Sequence, residues 1–210
     1  MDPTFLLSAF VTLFVVIDPV GMAPLFVALT AGETGARRRA IALRACLIAL
    51  GLLTLFGLAG EAVLGFVGIS MPAFRIAGGI LLFLTALDML FDRRTRRRQQ
   101  SAEDDDDRPD PSVFPLAIPL IAGPGAIASM ILLAGQAPAD ARALHLLGVH
   151  VVMAAVLALV LLLFLASGLI ERALGATGIL VVTRLLGMLL AALSVQFVLD
   201  GIEGAGLVPA

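Results

Sequence analysis

Six stretches of this chain are long and apolar enough to cross a lipid bilayer, and that property alone removes most folds from consideration. A membrane-spanning helix needs about 20 predominantly apolar residues. The stretches are Thr4–Thr30, Ile41–Gly60, Phe74–Leu90, Phe114–Leu133, Leu146–Ile170 and Leu185–Leu199. Composition agrees: of 210 residues, 60% are hydrophobic and 14% charged, with a mean hydropathy of +1.06, whereas soluble domains carry about 25% charged residues. Lipid is therefore the solvent for most of the surface, and there only helices or closed barrels satisfy their own backbone. Runs of this length predict an all-α polytopic membrane protein of six transmembrane helices.

The arginines orient it. Arg37, Arg38, Arg39 and Arg44 follow the first stretch, Arg93, Arg94, Arg96, Arg97, Arg98 and Arg108 separate the third from the fourth, and Arg172 and Arg184 separate the fifth from the sixth. With these three connections in the cytoplasm, all but Arg75 and Arg142 of the fourteen basic residues lie inside, as the positive-inside rule requires. Both termini are then periplasmic. The connection at residues 92–112 is cytoplasmic and alternates blocks of opposite charge with hardly an apolar residue, the composition of a solvated loop. It divides the chain into a first three-helix unit, residues 1–91, and a second, residues 113–210.

The two units repeat. Sliding Ile17–Thr30 onto Ile121–Ala134 places Gly21 on Gly125 and Leu29 on Leu133; further on, Arg75 and Gly78 match Arg184 and Gly187, and Thr85 matches Ser194. Three spans per unit is an odd number, so the second copy enters the membrane upside down. Such 3+3 inverted repeats are a common plan of secondary transporters, and interrupted helices at corresponding places in the two halves point to the binding site.

Both interruptions are visible. Asp18-Pro19 inside the first span combines a favoured helix cap with a residue favoured at the first helical position, and Pro19 disfavours helical geometry at Asp18. Gly123-Pro124 makes the same statement in the fourth span. Each span is thus expected to be two half-helices meeting near the midplane, their positive N-terminal ends converging in a manner suited to a carboxylate. The candidate substrate-binding residues are Asp18, Pro19, Gly21, Gly123, Pro124 and Gly125, the glycines allowing close approach to the backbone. Asp18 is placed to accept a substrate ammonium group or to carry a coupling proton or Na+. Gly78, Gly79 and Gly187 are expected to let helices pack closely, Gln196 to bond a neighbouring helix, and His145 and His150 to sit at the interface. No metal-ligand spacing, nucleophile triad, phosphate loop or nucleic-acid signature occurs, so neither an enzyme nor a resident cofactor is expected.

On four segments, FVVIDPVGMAPLFVALT, RIAGGILLFLTALDML, PLAIPLIAGPGAIASMILLA and RLLGMLLAALSVQFVLDGI, the chain resembles the MarC family of bacterial inner-membrane proteins, also classed as small neutral amino acid transporters. The resemblance implies six spans with outer-facing termini and a substrate such as glycine or alanine held at the broken first and fourth spans. Two rivals stand beside that expectation: an exporter of drugs or other metabolites, and a non-transporting membrane scaffold.

Overall fold

A computed structural model of the chain describes residues 2–91, 110–138 and 140–206, so the charged connection, apart from Asp110, Pro111 and Ser112, lies outside the described residues. Every element there is helical: α1 (Pro3–Ile17), α2 (Pro19–Leu29), α3 (Gly35–Val67), α4 (Met71–Leu90), α5 (Ser112–Ile121), α6 (Pro124–Ala134), α7 (Arg142–Leu165) and α8 (Ser167–Gly204). Among the described residues five spans are long and apolar enough to cross a membrane, with α1 and α2 together forming the first; α5 and α6, bent by 54° at their junction, bring the number to six where the bent pair is one span and not a re-entrant loop. Large apolar side chains such as Leu47, Leu55, Leu147, Leu162 and Leu185 point outward, as expected where the surroundings are acyl chains.

Two helices outrun the apolar stretches that announced them. The third helix starts at Gly35, where the Thr34 side chain accepts the Arg37 N–H, so the Arg37–Arg44 cluster is helical and not loop. Likewise α8 begins at Ser167 and continues past a break at Gly175 (φ 62°, ψ 174°). Arg184 therefore sits exposed inside a helix and not at the start of one. Apolarity marks where a helix meets lipid, and polar turns beyond that region go uncounted.

The fourth span departs further from expectation. Its first part, α5, is a π-type segment with extended backbone at Phe114 and Ile118 (φ −128°, ψ 124° at each). Those residues precede Pro115 and Pro119, and a following proline drives a residue out of helical geometry. Neither proline has an N–H to donate. A regular half-helix is thus excluded by the same rule that breaks the first span at Asp18.

Contacts between elements set the arrangement. Arg38, near the start of α3, donates to the Oγ of Ser167, the first residue of α8 and two positions past the end of α7 (3.3 Å), while Glu61, near the end of α3, meets Arg142 at the start of α7 (2.7 Å). Helices α3 and α7 run antiparallel. So do α4 and α8, the most extensive contact among the described residues: Gly79 faces Ser194 and Val198, Gly187 faces Ala86 and Met89, and Gly201 faces Pro72 and Ile76. A Cβ added to Gly79 would lie 2.8 Å from the Ser194 carbonyl oxygen, so small residues do set this helix spacing. By contrast, Gln196 donates to Asp200 one turn along its own helix (2.6 Å) and not to a neighbour. His145 is buried, bonded to the Leu133 carbonyl at 2.9 Å and tilted against the Phe5 ring at 4.6 Å, which ties α7 to α6 and α1 where an interfacial position had been expected.

The two helix starts at the head of each unit are built alike. Asp2 Oδ1 accepts the Thr4 N–H (2.9 Å) and Asp110 Oδ1 accepts the Ser112 N–H (3.0 Å). Asp110 also accepts from the Ser112 hydroxyl and forms an ion pair with Arg44 of α3. The Ser112 bonds, then Arg44, hold its carboxyl below the usual carboxylate range. A depressed folded value means the wild type's advantage in thermal midpoint over Asp110→Asn should be full at pH 7. It should shrink as pH falls below the ordinary carboxylate value, near 4. Melting curves of the two proteins in detergent across pH 3 to pH 7 check this; an advantage independent of pH would exclude the carboxylate as its source.

Candidate functional site

The first break is a single residue. Asp18 adopts the left-handed conformation (φ 55°, ψ 63°) and is the only non-glycine residue with positive φ among those described. Its N–H still closes α1 onto the Phe14 carbonyl (2.9 Å), and its carbonyl receives the Met22 N–H (3.1 Å) as α2 begins. Side-chain Oδ1 accepts the Gly21 N–H at 3.0 Å, capping the helix that follows. Asp tolerates left-handed backbone better than most residues, and a cap of this type stabilises a helix by roughly 1 kcal/mol. Yet a carboxylate here is 1% exposed, in a region where a buried charge is costly and usually functional. Left-handed backbone in a non-glycine residue costs about 1–3 kcal/mol and tends to gather at functional positions.

What faces Asp18 was not visible in the sequence. A Cβ built on Gly21 would lie 2.1 Å from Asp18 Oδ2 and 2.7 Å from Thr183 Oγ1, so the carboxylate and the hydroxyl of Thr183, on α8, both close on Gly21 and leave no room there for even a methyl group. Thr183 is 7% exposed, and its Oγ1 makes no hydrogen bond among the described residues. Glycine at position 21 lets the two groups approach this closely; any larger residue would collide with both.

At the second break Gly123 is the N-cap of α6 with extended backbone (φ −79°, ψ 170°), and its carbonyl takes the Ile127 N–H at 3.0 Å. A Cβ on Gly123 would lie 2.4 Å from the Pro119 carbonyl oxygen, so the turn closes only around glycine. Gly125 is buried in the first turn of α6, where an added Cβ would be 3.2 Å from both Val16 Cγ1 and Leu82 Cδ2 and 3.8 Å from Thr85 Oγ1. Val16 lies two residues before Asp18, so the first turn of α6 abuts the first break. Pro19 is buried in the first turn of α2, whereas Pro124 is exposed. Of the six candidate residues, Asp18, Pro19, Gly123 and Gly125 are buried, Gly21 is half-buried and Pro124 is exposed; Gly21 meets α8 at Thr183, and Gly125 meets α1 at Val16 and α4 at Leu82. One turn beyond Gly125 on the same face of α6, Ser129 is fully buried, with no hydrogen bond from its hydroxyl among the described residues. With Thr183 it is a polar group that single-helix periodicity gave no reason to select, because both sit among apolar neighbours. No group of three or more potential metal-ligating side chains occurs among the described residues.

Taken together, these features define a multi-pass integral membrane protein with a carboxylate buried at a break in its first span. The profile described as "MarC family integral membrane protein" matches residues 3–205. The chain belongs to that family. It is 37% identical over 205 residues to the UPF0056 membrane protein YvbG of Bacillus subtilis, covering 96% of this chain and 95% of that one. With a UPF0056 membrane protein of Archaeoglobus fulgidus it shares 38% identity over 200 residues, 95% and 92% of the two chains. The UPF0056 inner membrane protein YhgN of Escherichia coli is 36% identical over 200 residues, 94% and 96%. No solved structure matches it.

Proposed function

We propose that this protein is a secondary transporter of small neutral amino acids, such as glycine and alanine, in the bacterial inner membrane. In this reading it is a 3+3 inverted repeat with periplasmic termini and a cytoplasmic linker. The observation that carries it is Asp18: an acidic residue buried at the break of an apolar span, capping α2 and closing on Gly21 together with the Thr183 hydroxyl.

Support for the repeat comes from the contacts. Helices that correspond between the halves, α3 with α7 and α4 with α8, pack against each other antiparallel, as a two-fold axis in the membrane plane demands. Several contacts between non-equivalent helices come in exchanged pairs, α3 with α6 and α7 with α2, α3 with α5 and α7 with α1, α4 with α6 and α8 with α2, whereas those of α1 with α6 and with α8 have no counterpart of like extent. Support for a small substrate comes from crowding, since Val16 and Leu82 close on Gly125 while Asp18 and Thr183 close on Gly21. In this conformation not even a methyl group has room at Gly21, so the site must open to admit any substrate, and the opening needed is least for a small one. The substrate ammonium would meet Asp18 and Thr183, and its carboxylate the N–H groups opening α6, where Gly123 offers no side-chain cap and the helix dipole favours negative charge. Rocking of one repeat against the other would expose the site to each side in turn.

Counterflow in proteoliposomes tests this reading. Vesicles loaded with unlabelled alanine should take up labelled glycine or alanine well above protein-free vesicles, and unlabelled bulky amino acids should compete poorly. Absence of exchange across a panel of small neutral amino acids would exclude the substrate class and leave the exporter or scaffold.

A further inference from the structure

We propose that the cleft between the start of α3 and the junction of α7 with α8 binds the phosphate headgroup of an anionic phospholipid. The cleft has a volume of about 510 Å³ and is lined by Arg38, Arg39 and Arg172 together with Phe26, Phe164 and Leu165. Six of the arginines among the described residues divide into two kinds. Arg37, Arg44 and Arg142 each face a carboxylate, from Glu33, Asp110 and Glu61. The three around the cleft have no carboxylate partner among the described residues. Three like charges gathered on one hollow repel each other, and an anion seated among them relieves that repulsion.

The pocket is built and not merely charged. Arg38 donates to the buried Ser167 hydroxyl (3.3 Å) and lies 5.6 Å over the Phe26 ring, itself stacked on Phe164 at 4.5 Å. One guanidinium is thereby held in place at the back of the cleft, while Arg39 and Arg172 are exposed at its rim. Guanidinium groups are well matched to phosphate because their fork of donors pairs with two oxygens at once. Gly35, the first residue of α3, also lines the cleft, adding the positive end of that helix.

A lipid is favoured over a soluble phosphate by what lies beside the arginines. Leu165 is 50% exposed and Leu169 is 69% exposed, and both line the same cleft. A soluble anion gains nothing from them, whereas an acyl chain running down from a headgroup at the arginines would cover them. Basic pockets between membrane helices hold anionic headgroups on this principle. The site is distinct from the Asp18 region and does not rest on the transport reading.

Native mass spectrometry of the full-length protein, released from detergent with added phosphatidylglycerol or phosphatidylcholine of identical acyl chains, tests the proposal. Phosphatidylglycerol should be retained more tightly by about thirty-fold, the expectation for two rim arginines near an anionic headgroup. The double variant R39Q/R172Q, which leaves the Arg38 contacts intact, should lose most of that preference, and R142Q should keep it. Equal retention of the two lipids in the wild type, or an undiminished preference in R39Q/R172Q, would overturn the proposal. Comparing the two lipids needs no variant, so a variant that fails to fold leaves the test intact. If inorganic phosphate binds alone with the same arginine dependence and displaces phosphatidylglycerol, the occupant is a soluble anion and the lipid assignment falls.

Discussion

Asp18→Asn should abolish coupled amino acid uptake while leaving the protein folded. The substitution separates two roles that one side chain holds. As a structural cap, Asp18 offers Oδ1 to the Gly21 N–H and adopts a left-handed backbone. Asparagine does both, since its amide oxygen caps helices as well as a carboxylate and it too tolerates positive φ. What it removes is the negative charge beside Thr183 and with it the ability to take a proton or to pair with a cation. Hydrogen bonds to charged groups contribute about 1.5–3 kcal/mol each, so substrate affinity should fall on the order of 10–100-fold, and any dependence of uptake on an ion gradient should vanish. Expression and thermal midpoint should stay close to the wild type. Asp18→Ala should differ by also lowering the midpoint, because alanine neither caps nor favours the left-handed region. Uptake in proteoliposomes beside melting curves of the same preparations decides it. Wild-type transport by Asp18→Asn would remove the carboxylate from the mechanism.

Which parts of this site were legible in one sequence follows from the range of each interaction. The break at Asp18 was legible because its cause is local: a proline restricts the residue before it, and an acidic residue there finds an N–H three positions on. The irregular α5 has the same local cause, at Phe114-Pro115 and Ile118-Pro119, but its apolarity matches that of a regular span and hides the irregularity. The matched starts Asp2-Pro3-Thr4 and Asp110-Pro111-Ser112 were equally local. They escape a gapless comparison of the halves because α1 has 15 residues and α5 only 10, which shifts the caps out of step with the breaks. Thr183 was not legible at all. Its nearness to Asp18 depends on how α8 crosses α2, and nothing within a few residues of Thr183 marks it. The arginine clusters showed which ends of the spans group together. That Arg44 pairs with Asp110 while Arg38 leans on Phe26 is a matter of packing between helices distant in sequence.

Gly79→Leu should be the most damaging single substitution along the contact of α4 with α8. In lipid, apolar side chains gain little by leaving the surroundings, so helices associate through close van der Waals packing, and small residues permit the approach. At Gly79 a Cβ would lie 2.7 Å from Val198 Cγ2, 2.8 Å from the Ser194 carbonyl oxygen and 3.1 Å from the Val198 nitrogen. Two of those three atoms are backbone and cannot rotate aside, so the helices must part. Overpacking of this kind costs about 1–3 kcal/mol even where side chains can adjust, and a whole leucine against backbone should exceed the upper figure. The contact that parts is the largest between the two halves, so the loss should appear as failure to recover folded, monodisperse protein from detergent. Gly79→Ala should fold with a clearly lowered midpoint. Gly51→Ala provides the contrast, because nothing lies within 4 Å of a Cβ at that position in α3, and alanine there should be neutral or stabilising by up to about 1 kcal/mol. Size-exclusion profiles and melting curves of the three variants rank them. If Gly79→Leu melts with Gly51→Ala, close packing at Gly79 is not what holds α4 against α8.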